Sequence, residues 1–331
     1  MEIETYILDV MEGKRRGKSL LRALSYLYQS GVALRNAAYD RGWIKAVDCG
    51  LPVVSVGNIV AGGTGKTPFV KFLAKELMQD FRVAILSRGY RSLNEKTGNS
   101  LRVTAETPVL DCGDEPYWLA KNLPQAQVWV GKNRVESAMR ARDAGAQIVI
   151  LDDGMQHRQL KRDFEIVLVD GEDPFGKGFF LPRGLLRDSP HRLKNADLIV
   201  VRGQVDEQLR CWTEAPLVFA QTKTEMTLEG KKVALFSAIA NPHRFVKSVR
   251  EAGGEVVATL FKPDHDVFST KELEEFAERS RADIVICTEK DEVKLPATGL
   301  PIIALSSYLE LTGNLAAWEE MLNKIKTRVK K

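Results

Sequence analysis

Residues 56–68 read VGNIVAGGTGKTP and decide the fold. They follow an apolar run at 51–56 and precede a segment whose apolar residues recur at helical spacing. A strand that breaks into glycines and then enters a helix directs several backbone N–H groups, a lysine and a threonine hydroxyl to one place, which suits nucleotide phosphates. Val60 stands where the strict phosphate-loop pattern has glycine, so the match is to the GGxGK[ST] form. The residues expected to bind the phosphates are Val60, Ala61, Gly62, Gly63, Thr64, Gly65, Lys66 and Thr67.

Strand and helix patterns alternate along the rest of the chain. Apolar runs typical of buried strands lie at 82–87, 127–130, 147–151, 165–170, 196–201 and 217–220. Strands separated by helices indicate a parallel sheet that is covered by helices on both faces. The predicted fold class is therefore α/β, with a phosphate-loop NTPase-like sheet domain, a second smaller α/β domain and an N-terminal amphipathic helix.

A polar, threonine-rich stretch at 221–232 predicts a domain boundary. We expect an N-terminal helix within 1–45, a core domain with the phosphate loop at 46–224 and the smaller α/β domain at 225–331. In the smaller domain the patterns predict strands at 232–238, 255–261, 283–288 and 301–305, with helices at 242–252 and 270–280.

Composition and charge exclude several classes of protein. The net charge of +4 is too small to indicate nucleic acid as a main partner, and no apolar run is long enough to cross a bilayer. The four cysteines form no CxxC pair, which argues against a zinc site or a disulfide framework. No secretory signal precedes the first apolar helix pattern, so we expect a cytoplasmic protein.

The N-terminal segment allows two interpretations. Residues 18–43 carry apolar side chains at helical spacing, interleaved with Tyr26, Tyr28, Tyr39 and Trp43. Basic residues lie upstream of this pattern and at its start: Lys14, Arg15, Arg16, Lys18 and Arg22. These features are typical of a helix in an anionic membrane interface. Packing of an amphipathic helix on the domain core would give a similar pattern, so both interpretations stay open.

Two aspartates, Asp152 and Asp153, follow the apolar run at 147–151 directly. Magnesium prefers hard oxygen ligands, and phosphate-loop enzymes take one from the loop Ser or Thr and another from a strand-end Asp. Thr67 with Asp152 or Asp153 is therefore the candidate magnesium site. An aspartate pair that only caps a turn is the structural alternative.

Asp114 and Glu115 form a second acidic loop, between Gly113 and Pro116. A carboxylate near the terminal phosphate can orient or deprotonate an attacking hydroxyl. His265, in the Asp-His-Asp sequence at 264–266, is the candidate partner of Asp114 across a cleft, which is a hypothesis at this stage. An acidic surface turn and a solvated histidine are the ordinary alternatives.

Two further segments carry unusual combinations of residues. Residues 173–188 combine turn formers, aromatic side chains and basic residues, which suits an acidic amphiphile. Within them, Arg187 could clamp a phosphate through two hydrogen bonds, and Asp188 could reach the metal. The sequence TEKD at 288–291 closes a strand of the smaller domain, and its charges could support the nucleotide or only the domain interface.

Together these motifs resemble the tetraacyldisaccharide 4′-kinases, and the resemblance runs nearly from end to end. The segments that carry it are VGN at 56–58, AGGTGKTP at 61–68, SRGY at 87–90, GDEP at 113–116, DDGMQH at 152–157, LPRGLLR at 181–187, DH at 264–265 and TEKD at 288–291. It implies transfer of the γ-phosphoryl group of ATP, with Mg²⁺, to the 4′-hydroxyl of a tetraacylated glucosamine disaccharide 1-phosphate in lipid A biosynthesis. It further implies a peripheral location on an anionic membrane surface, the cytoplasmic face of the inner membrane.

The resemblance also implies roles for single residues. Asp114 would act as the base with His265 assisting, Lys66 would hold phosphates, and Arg187 would neutralise phosphate charge. The implied metal ligands are Thr67, Asp152, Asp153, Glu115 and Asp188. Asp188 stands where the family commonly has glutamate, one methylene longer, which puts direct ligation at that position in doubt.

Two other classes share parts of the pattern. Switch ATPases of the ParA/MinD kind use a GGxGK[ST] loop and bind membranes peripherally, but they have a lysine just before the paired glycines, where this chain has Ala61. A GTP-binding protein would need an Asn-Lys-x-Asp sequence, which TEKD at 288–291 does not match. A lipid kinase is therefore the favoured interpretation.

Overall fold

The computed structural model describes residues 6, 7, 10, 11, 13, 15, 17, 19–205, 207–239, 241–296 and 298–331. The basic residues Lys14, Arg16 and Lys18, which contribute to the predicted membrane helix, lie outside the described residues. Within the described part of the chain, no helix combines the length and the apolar character that a bilayer span requires.

The described residues form a nine-stranded sheet and a four-stranded sheet. The strands are β1 (Val53–Gly57), β2 (Val83–Ser87), β3 (Leu101–Val103), β4 (Gln127–Val130), β5 (Ile148–Asp152), β6 (Phe164–Asp170), β7 (Leu198–Arg202), β8 (Leu217–Thr224), β9 (Lys232–Ser237), β10 (Glu255–Phe261), β11 (Ile284–Thr288), β12 (Ile302–Leu305) and β13 (Ser307–Gly313). The order in the large sheet is β13-β8-β7-β6-β1-β5-β2-β4-β3, and all its pairs are parallel except the two edge pairs, β13 with β8 and β3 with β4. Strand β1 therefore lies at the centre, and the glycine-rich loop leaves the middle of the carboxyl edge.

Helices cover both faces of the large sheet, as expected for strands that are apolar on both sides. From residue 19 onward, the α-helices of the described residues are α1 (Ser19–Asp40), α2 (Lys66–Met78), α3 (Leu93–Thr97), α4 (Val109–Cys112), α5 (Asp114–Asn122), α6 (Arg134–Asp143), α7 (Pro242–Glu251), α8 (Thr270–Ser280), α9 (Glu289–Glu292) and α10 (Leu315–Lys330). On one face Phe69 of α2 meets Trp318 of α10 edge to face, with ring centroids 5.8 Å apart. On the other face Ala138 and Ala141 of α6 pack against β5. The α/β class predicted from the sequence is confirmed.

The small sheet has the order β10-β9-β11-β12, and all its strands are parallel. Phe245 of α7 packs on one face and Leu273 of α8 on the other. Helix α8 begins with a capping box in which Ser269 and Glu272 satisfy each other's backbone N–H groups. This sheet and its helices form a second hydrophobic core.

The chain passes between the two sheets twice. It leaves the large sheet through β8 and returns through β13, which pairs with β8. Helix α10 then buries Trp318, Met321 and Ile325 in the core of the large sheet. Residues 307–331 therefore belong with the large sheet and not with the smaller domain that was expected at 225–331. The reason is that β13 pairs with β8 and the apolar face of α10 packs against α2. We name 19–224 with 307–331 the large unit, and 225–305 the small unit.

Helix α1 has one packed stripe and one exposed stripe. Leu21 and Val32 are buried, and the Ser25 hydroxyl donates a hydrogen bond to the Phe180 carbonyl at 2.7 Å. On the outer side three leucines are about two-thirds exposed: Leu20 (67%), Leu27 (70%) and Leu34 (67%). Packing on the core thus accounts for one side of the amphipathic pattern and leaves an apolar row on the other.

Candidate active site

The glycine-rich loop turns directly into helix α2. Gly65 has a φ of 86°, and Lys66 is the first helical residue. That left-handed backbone favours glycine, and a Cβ atom at Gly65 would lie 2.9 Å from the side chain of Arg202. The first turn of α2 therefore presents its backbone N–H groups beside Lys66 and Thr67, which makes this helix end an anion-binding position.

The loop is braced by residues on either side of its glycines. The N–H group of Ala61 donates to the carbonyl of Leu185 at 2.7 Å. The side-chain amide of Asn58 donates to the buried hydroxyl of Thr64 at 2.9 Å. Val60 pairs with Leu186 in an isolated β-bridge. Val60 and Ala61 thus brace the loop through their backbones and Thr64 through its hydroxyl. The N–H groups of Gly62, Gly63 and 65–67 and the Lys66 ammonium are left to contact a ligand.

Asp153 joins two cations beside the loop. Its carboxylate accepts hydrogen bonds from Arg187 at 2.9 and 2.8 Å, and Nζ of Lys66 lies 3.5 Å from Oδ1. Burial favours the neutral acid, but Lys66 and Arg187 outweigh it and hold the pKa of Asp153 well below its usual range. Asp153 also has a φ of 51°, which is uncommon for a residue other than glycine. The turn after β5 therefore places a permanent anion between two cations that suit phosphate.

Asp152 lies next to this cluster in a different environment. It is buried, and the Ser87 hydroxyl donates to its Oδ2 at 3.4 Å. Burial, together with the negative charges of Glu115 and Asp153, raises the pKa of Asp152 to about 7. A bound cation would lower the pKa of such a carboxyl group and favour its ionised form.

Asp114 meets the small unit through His265. Nδ1 of His265 lies 3.0 Å from Oδ2 and 3.2 Å from Oδ1 of Asp114. Nζ of Lys294 and Nζ of Lys290 lie 3.5 and 3.7 Å from the same carboxylate. Burial favours the neutral acid, but His265 and the two lysines hold the pKa of Asp114 well below its usual range. The contact hypothesised between Asp114 and His265 is therefore present, and Asp114 is an anion at neutral pH.

Glu115 connects the two clusters. Its negative charge contributes to the raised pKa of Asp152, and its Oε1 lies 3.4 Å from Nζ of Lys290. The phosphate loop, the strand-end aspartates and the Asp114–His265 pair thus share one region at the carboxyl edge of the large sheet. That region is where ligands bind in open α/β sheets.

Comparison with known proteins identifies the family. A family model described as tetraacyldisaccharide-1-P 4′-kinase matches residues 17–327. The chain belongs to this family. Tetraacyldisaccharide 4′-kinases from Syntrophus aciditrophicus and Halothermothrix orenii are 36% and 34% identical to it, over 86% and 88% of this chain and 87% and 88% of theirs. A crystal structure of LpxK from Aquifex aeolicus in complex with ATP is 30% identical, with a TM-score of 0.75, and the match covers 94% of this chain and 98% of that one.

In this member of the tetraacyldisaccharide 4′-kinase family the Asp188 side chain contacts helix α1 and its own turn. The carboxylate is fully buried, and its Oδ1 accepts hydrogen bonds from the Asn36 side chain at 2.7 Å and the Ser189 N–H at 2.8 Å. Oδ2 lies 3.5 Å from a guanidinium nitrogen of Arg35. Metal ligation by Asp188 stays a prediction, and the contacts of its carboxylate with helix α1 and with its own turn argue against it.

The remaining oxygen donors fit magnesium that is bound together with a nucleotide. Thr67, Asp152 and Glu115 offer a hydroxyl and two carboxylates, which are hard ligands. Ligation by Asp153, which was also expected, stays a prediction, because its carboxylate is engaged by Arg187 and Lys66 in this structure. Among the described residues, no three His, Cys, Asp or Glu side chains are gathered closely enough to hold a metal by themselves. Magnesium characteristically uses one or two carboxylates and completes its shell with water and substrate phosphate, so this sparse donor set suits it.

Two arginines at the site were not predicted from the sequence. Arg134 is buried at the start of α6, and its Nη1 donates to the Asp153 carbonyl at 3.4 Å. Arg244 extends from the small unit, donates to the Gly63 carbonyl at 3.3 Å and forms an ion pair with Asp170. An arginine at a helix start ordinarily faces solvent, so the pattern gave no indication of either contact.

Proposed function

We propose that this protein transfers the γ-phosphoryl group of ATP to the 4′-hydroxyl of tetraacyldisaccharide 1-phosphate, a reaction of lipid A biosynthesis. The observation that carries the proposal is the convergence of a phosphate loop with the Asp114–His265 pair, which lies across the two units. Membership of the tetraacyldisaccharide 4′-kinase family supports the acceptor, and the related LpxK structure in complex with ATP supports the donor.

The large unit would hold the nucleotide. The backbone N–H groups of Gly62, Gly63 and 65–67 would cradle the phosphates, with the ammonium of Lys66 beside them. Lys66 and Arg187 both contact Asp153 in this structure, so a triphosphate would compete with Asp153 for the two cations. Arg187 would then neutralise charge on the phosphate that is transferred.

Thr67, Asp152 and Glu115 would hold Mg²⁺ with the nucleotide phosphates. When bound, the ion would neutralise the developing charge between the β- and γ-phosphates. Asp152 is the best supported of these ligands, because it is buried and because burial with the charges of Glu115 and Asp153 outweighs the nearby cations Lys66 and Arg134 in raising its pKa.

Asp114 would receive the acceptor hydroxyl. As the bond from the 4′-oxygen to the γ-phosphorus forms, the bond to the bridging oxygen of the leaving ADP breaks, and the hydroxyl proton moves to Asp114. His265 would donate from Nδ1 to the other oxygen of Asp114 and so fix its direction. An acid with a low pKa is adequate here, because a loose phosphoryl-transfer transition state makes little demand on base strength.

Helix α1 would contact the membrane that holds the lipid acceptor. Its outer row of exposed leucines continues to Trp43, which stacks with Arg41 at 5.3 Å. An apolar row flanked by aromatic and basic side chains is typical of helices that lie in an anionic interface. We propose that this surface is the cytoplasmic face of the inner membrane, where ATP is available.

A transfer assay tests the proposal. The protein is incubated with γ-labelled ATP, Mg²⁺ and detergent-dispersed tetraacyldisaccharide 1-phosphate, and the lipid product is analysed for label at the 4′-position. We expect labelled lipid from the native protein and none from the Asp114→Asn variant. Hydrolysis of ATP without labelled lipid would contradict the proposal and favour a switch ATPase.

A further inference from the structure

The TEKD segment at 288–291 forms a hydrogen-bonded turn in the small unit. The Thr288 hydroxyl donates to Oδ2 of Asp291 at 2.6 Å, and Asp291 Oδ1 accepts the Ala238 N–H at 3.1 Å. Thr288 also caps α9, since its hydroxyl accepts the Asp291 N–H at 3.1 Å. These bonds fix the backbone on both sides of Lys290.

Lys290 extends from this turn to carboxylates of both units. Its Nζ lies 3.1 Å from Asp264 in the small unit, and 3.4 Å from Glu115 and 3.7 Å from Asp114 in the large unit. The side chain is about one-fifth exposed, at 21%. Like charges so close together repel one another unless a cation lies between them, and partial burial strengthens both effects.

We infer that Lys290 is a positioning residue that holds Asp114 and His265 in contact across the interface between the units. Asp264 precedes His265 directly, so its ion pair with Lys290 fixes the loop that carries the imidazole. Glu115 follows Asp114 directly, so its ion pair fixes the carboxylate on the other side. This inference rests on the proposed function, because the contact matters for turnover only if Asp114 receives the acceptor.

Two neighbouring lysines provide comparisons. Lys294 also approaches Asp114, at 3.5 Å, and pairs with Asp291 of its own turn at 3.7 Å. Lys121 of α5 forms an ion pair with Glu292 of α9 at 3.0 Å, which also links the two units. The Lys121 and Glu292 side chains are 50% and 42% exposed, so we expect this pair to contribute little. Lys121→Met is therefore a matched control for the loss of a lysine between the units.

The first test separates turnover from nucleotide binding. We expect Lys290→Met to lower kcat for lipid phosphorylation by about 30-fold or more, with KM for ATP within about threefold of native. Lys121→Met should leave both parameters within about threefold. A Lys290→Met enzyme whose kcat stays within about threefold of native would overturn the inference. Should this variant fail to fold, Lys290→Gln is judged by the same thresholds.

The second test restores the ammonium chemically. Cys211 is the exposed one among the four free cysteines, so Lys290→Cys is prepared together with Cys211→Ser. Alkylation with 2-bromoethylamine displaces bromide from carbon and leaves a thioether whose ammonium lies at the length of lysine. We expect kcat to rise by about tenfold or more on alkylation, whereas Cys211→Ser alone should not change on the same treatment. If the alkylated protein is folded but its kcat does not rise, a positioning role for the ammonium would be contradicted.

A spectroscopic measurement separates this inference from the proposed function. The chain has four histidines, so side-chain ¹⁵N spectra are simple, and His265→Gln assigns the signal of His265. We expect the Nδ1 resonance of His265 to shift in Lys290→Met and to keep its native position in Lys121→Met. An unchanged resonance in Lys290→Met would overturn the inference even if the native enzyme labels lipid. A native protein that labels no lipid would refute the proposed function and leave this spectrum to decide the contact.

Discussion

The nucleotide side and the acceptor side of the candidate site are built differently. The nucleotide side comes from the large unit and depends on backbone conformation: a loop between β1 and α2, with the turn after β5 beside it. The acceptor side is divided between the units and depends on side-chain charges, with Asp114 from one and His265 and Lys290 from the other. The phosphate loop is therefore formed by one unit, with Arg244 of the small unit contacting only the Gly63 carbonyl, whereas the proposed acceptor site requires contact between the two units.

The largest effect should come from removing the acceptor carboxylate. We expect Asp114→Ala to lower kcat by about a thousandfold, because the acceptor loses its hydrogen-bond partner and proton acceptor. The Kd for ATP should stay within about twofold, since the nucleotide side belongs to other elements. Calorimetric titration with ATP and the lipid transfer assay measure the two quantities, and Asp111→Asn, on the preceding helix, is the control. A collapse of ATP affinity in Asp114→Ala would show that the two sides are not separable.

A smaller effect, on the nucleotide side and not on the acceptor side, should follow from changing Lys66. We expect Lys66→Met to lower kcat/KM for ATP by about a hundredfold, because the ammonium that faces the phosphates is lost. The Asp114–His265 contact should persist, which the ¹⁵N signal of His265 reports. Lys75→Met, on the same helix, controls for a lost charge. Loss of the His265 signal in Lys66→Met would mean that the acceptor side depends on the loop.

This contrast explains which features could be predicted from the sequence. The loop at 61–67 was predictable because glycines, lysine and threonine must follow one another along the chain to form it. The central strands were predictable because strands buried on both faces are short apolar runs. No strand was predicted at 307–313, and the domain boundary placed these residues with the smaller domain, whereas β13 pairs with β8 of the large sheet.

Side-chain direction was the harder part of the prediction. Asp188 follows Arg187, yet the two side chains point to different partners, Asn36 and Asp153, and adjacency in sequence does not separate these outcomes. Arg134 and Arg244 reach the site through tertiary contacts alone, without any local pattern. The Asp114–His265 contact could be put forward from the residue types only as a hypothesis, because the two residues lie 151 positions apart and no local pattern links them.

The exposed row of α1 should contribute to membrane binding rather than to either side of the site. We expect the double change Leu20→Ser and Leu27→Ser to weaken partition to anionic vesicles by about 10- to 100-fold, because each exposed leucine loses apolar contact with lipid. Turnover of a fully detergent-dispersed acceptor should change by less than about threefold. Vesicle co-sedimentation measures the partition. Leu315→Ser, which changes an exposed leucine outside this row, should sediment like the native protein.

The smallest effect concerns the pH dependence of protein stability that arises from His157, in the turn that follows β5. Burial, together with the positive charges of Arg134 and Arg162, lowers the pKa of His157 to about 3. A histidine that folds in its neutral form stabilises the protein above the unfolded pKa of about 6.5, and this contribution is lost as the pH falls toward the folded value. Between neutral pH and pH 5.5, the free energy of unfolding should therefore fall by about 1.4 kcal/mol less in His157→Gln than in the native protein.

Urea unfolding at neutral and acidic pH measures this difference. The exposed His243 serves as the control through His243→Gln, which should follow the native pH dependence. Equal acid sensitivity of His157→Gln and the native protein would contradict a neutral His157 in the folded state.

The most direct test of the two-sided site is a crystal structure with a non-hydrolysable ATP analogue, Mg²⁺ and the disaccharide headgroup bound together. We expect the 4′-oxygen within hydrogen-bond distance of the Asp114 carboxylate and in line with the γ-phosphorus, whose oxygens contact Lys66 and Arg187. A 4′-oxygen that lies away from Asp114 while the γ-phosphate occupies the loop would contradict the account.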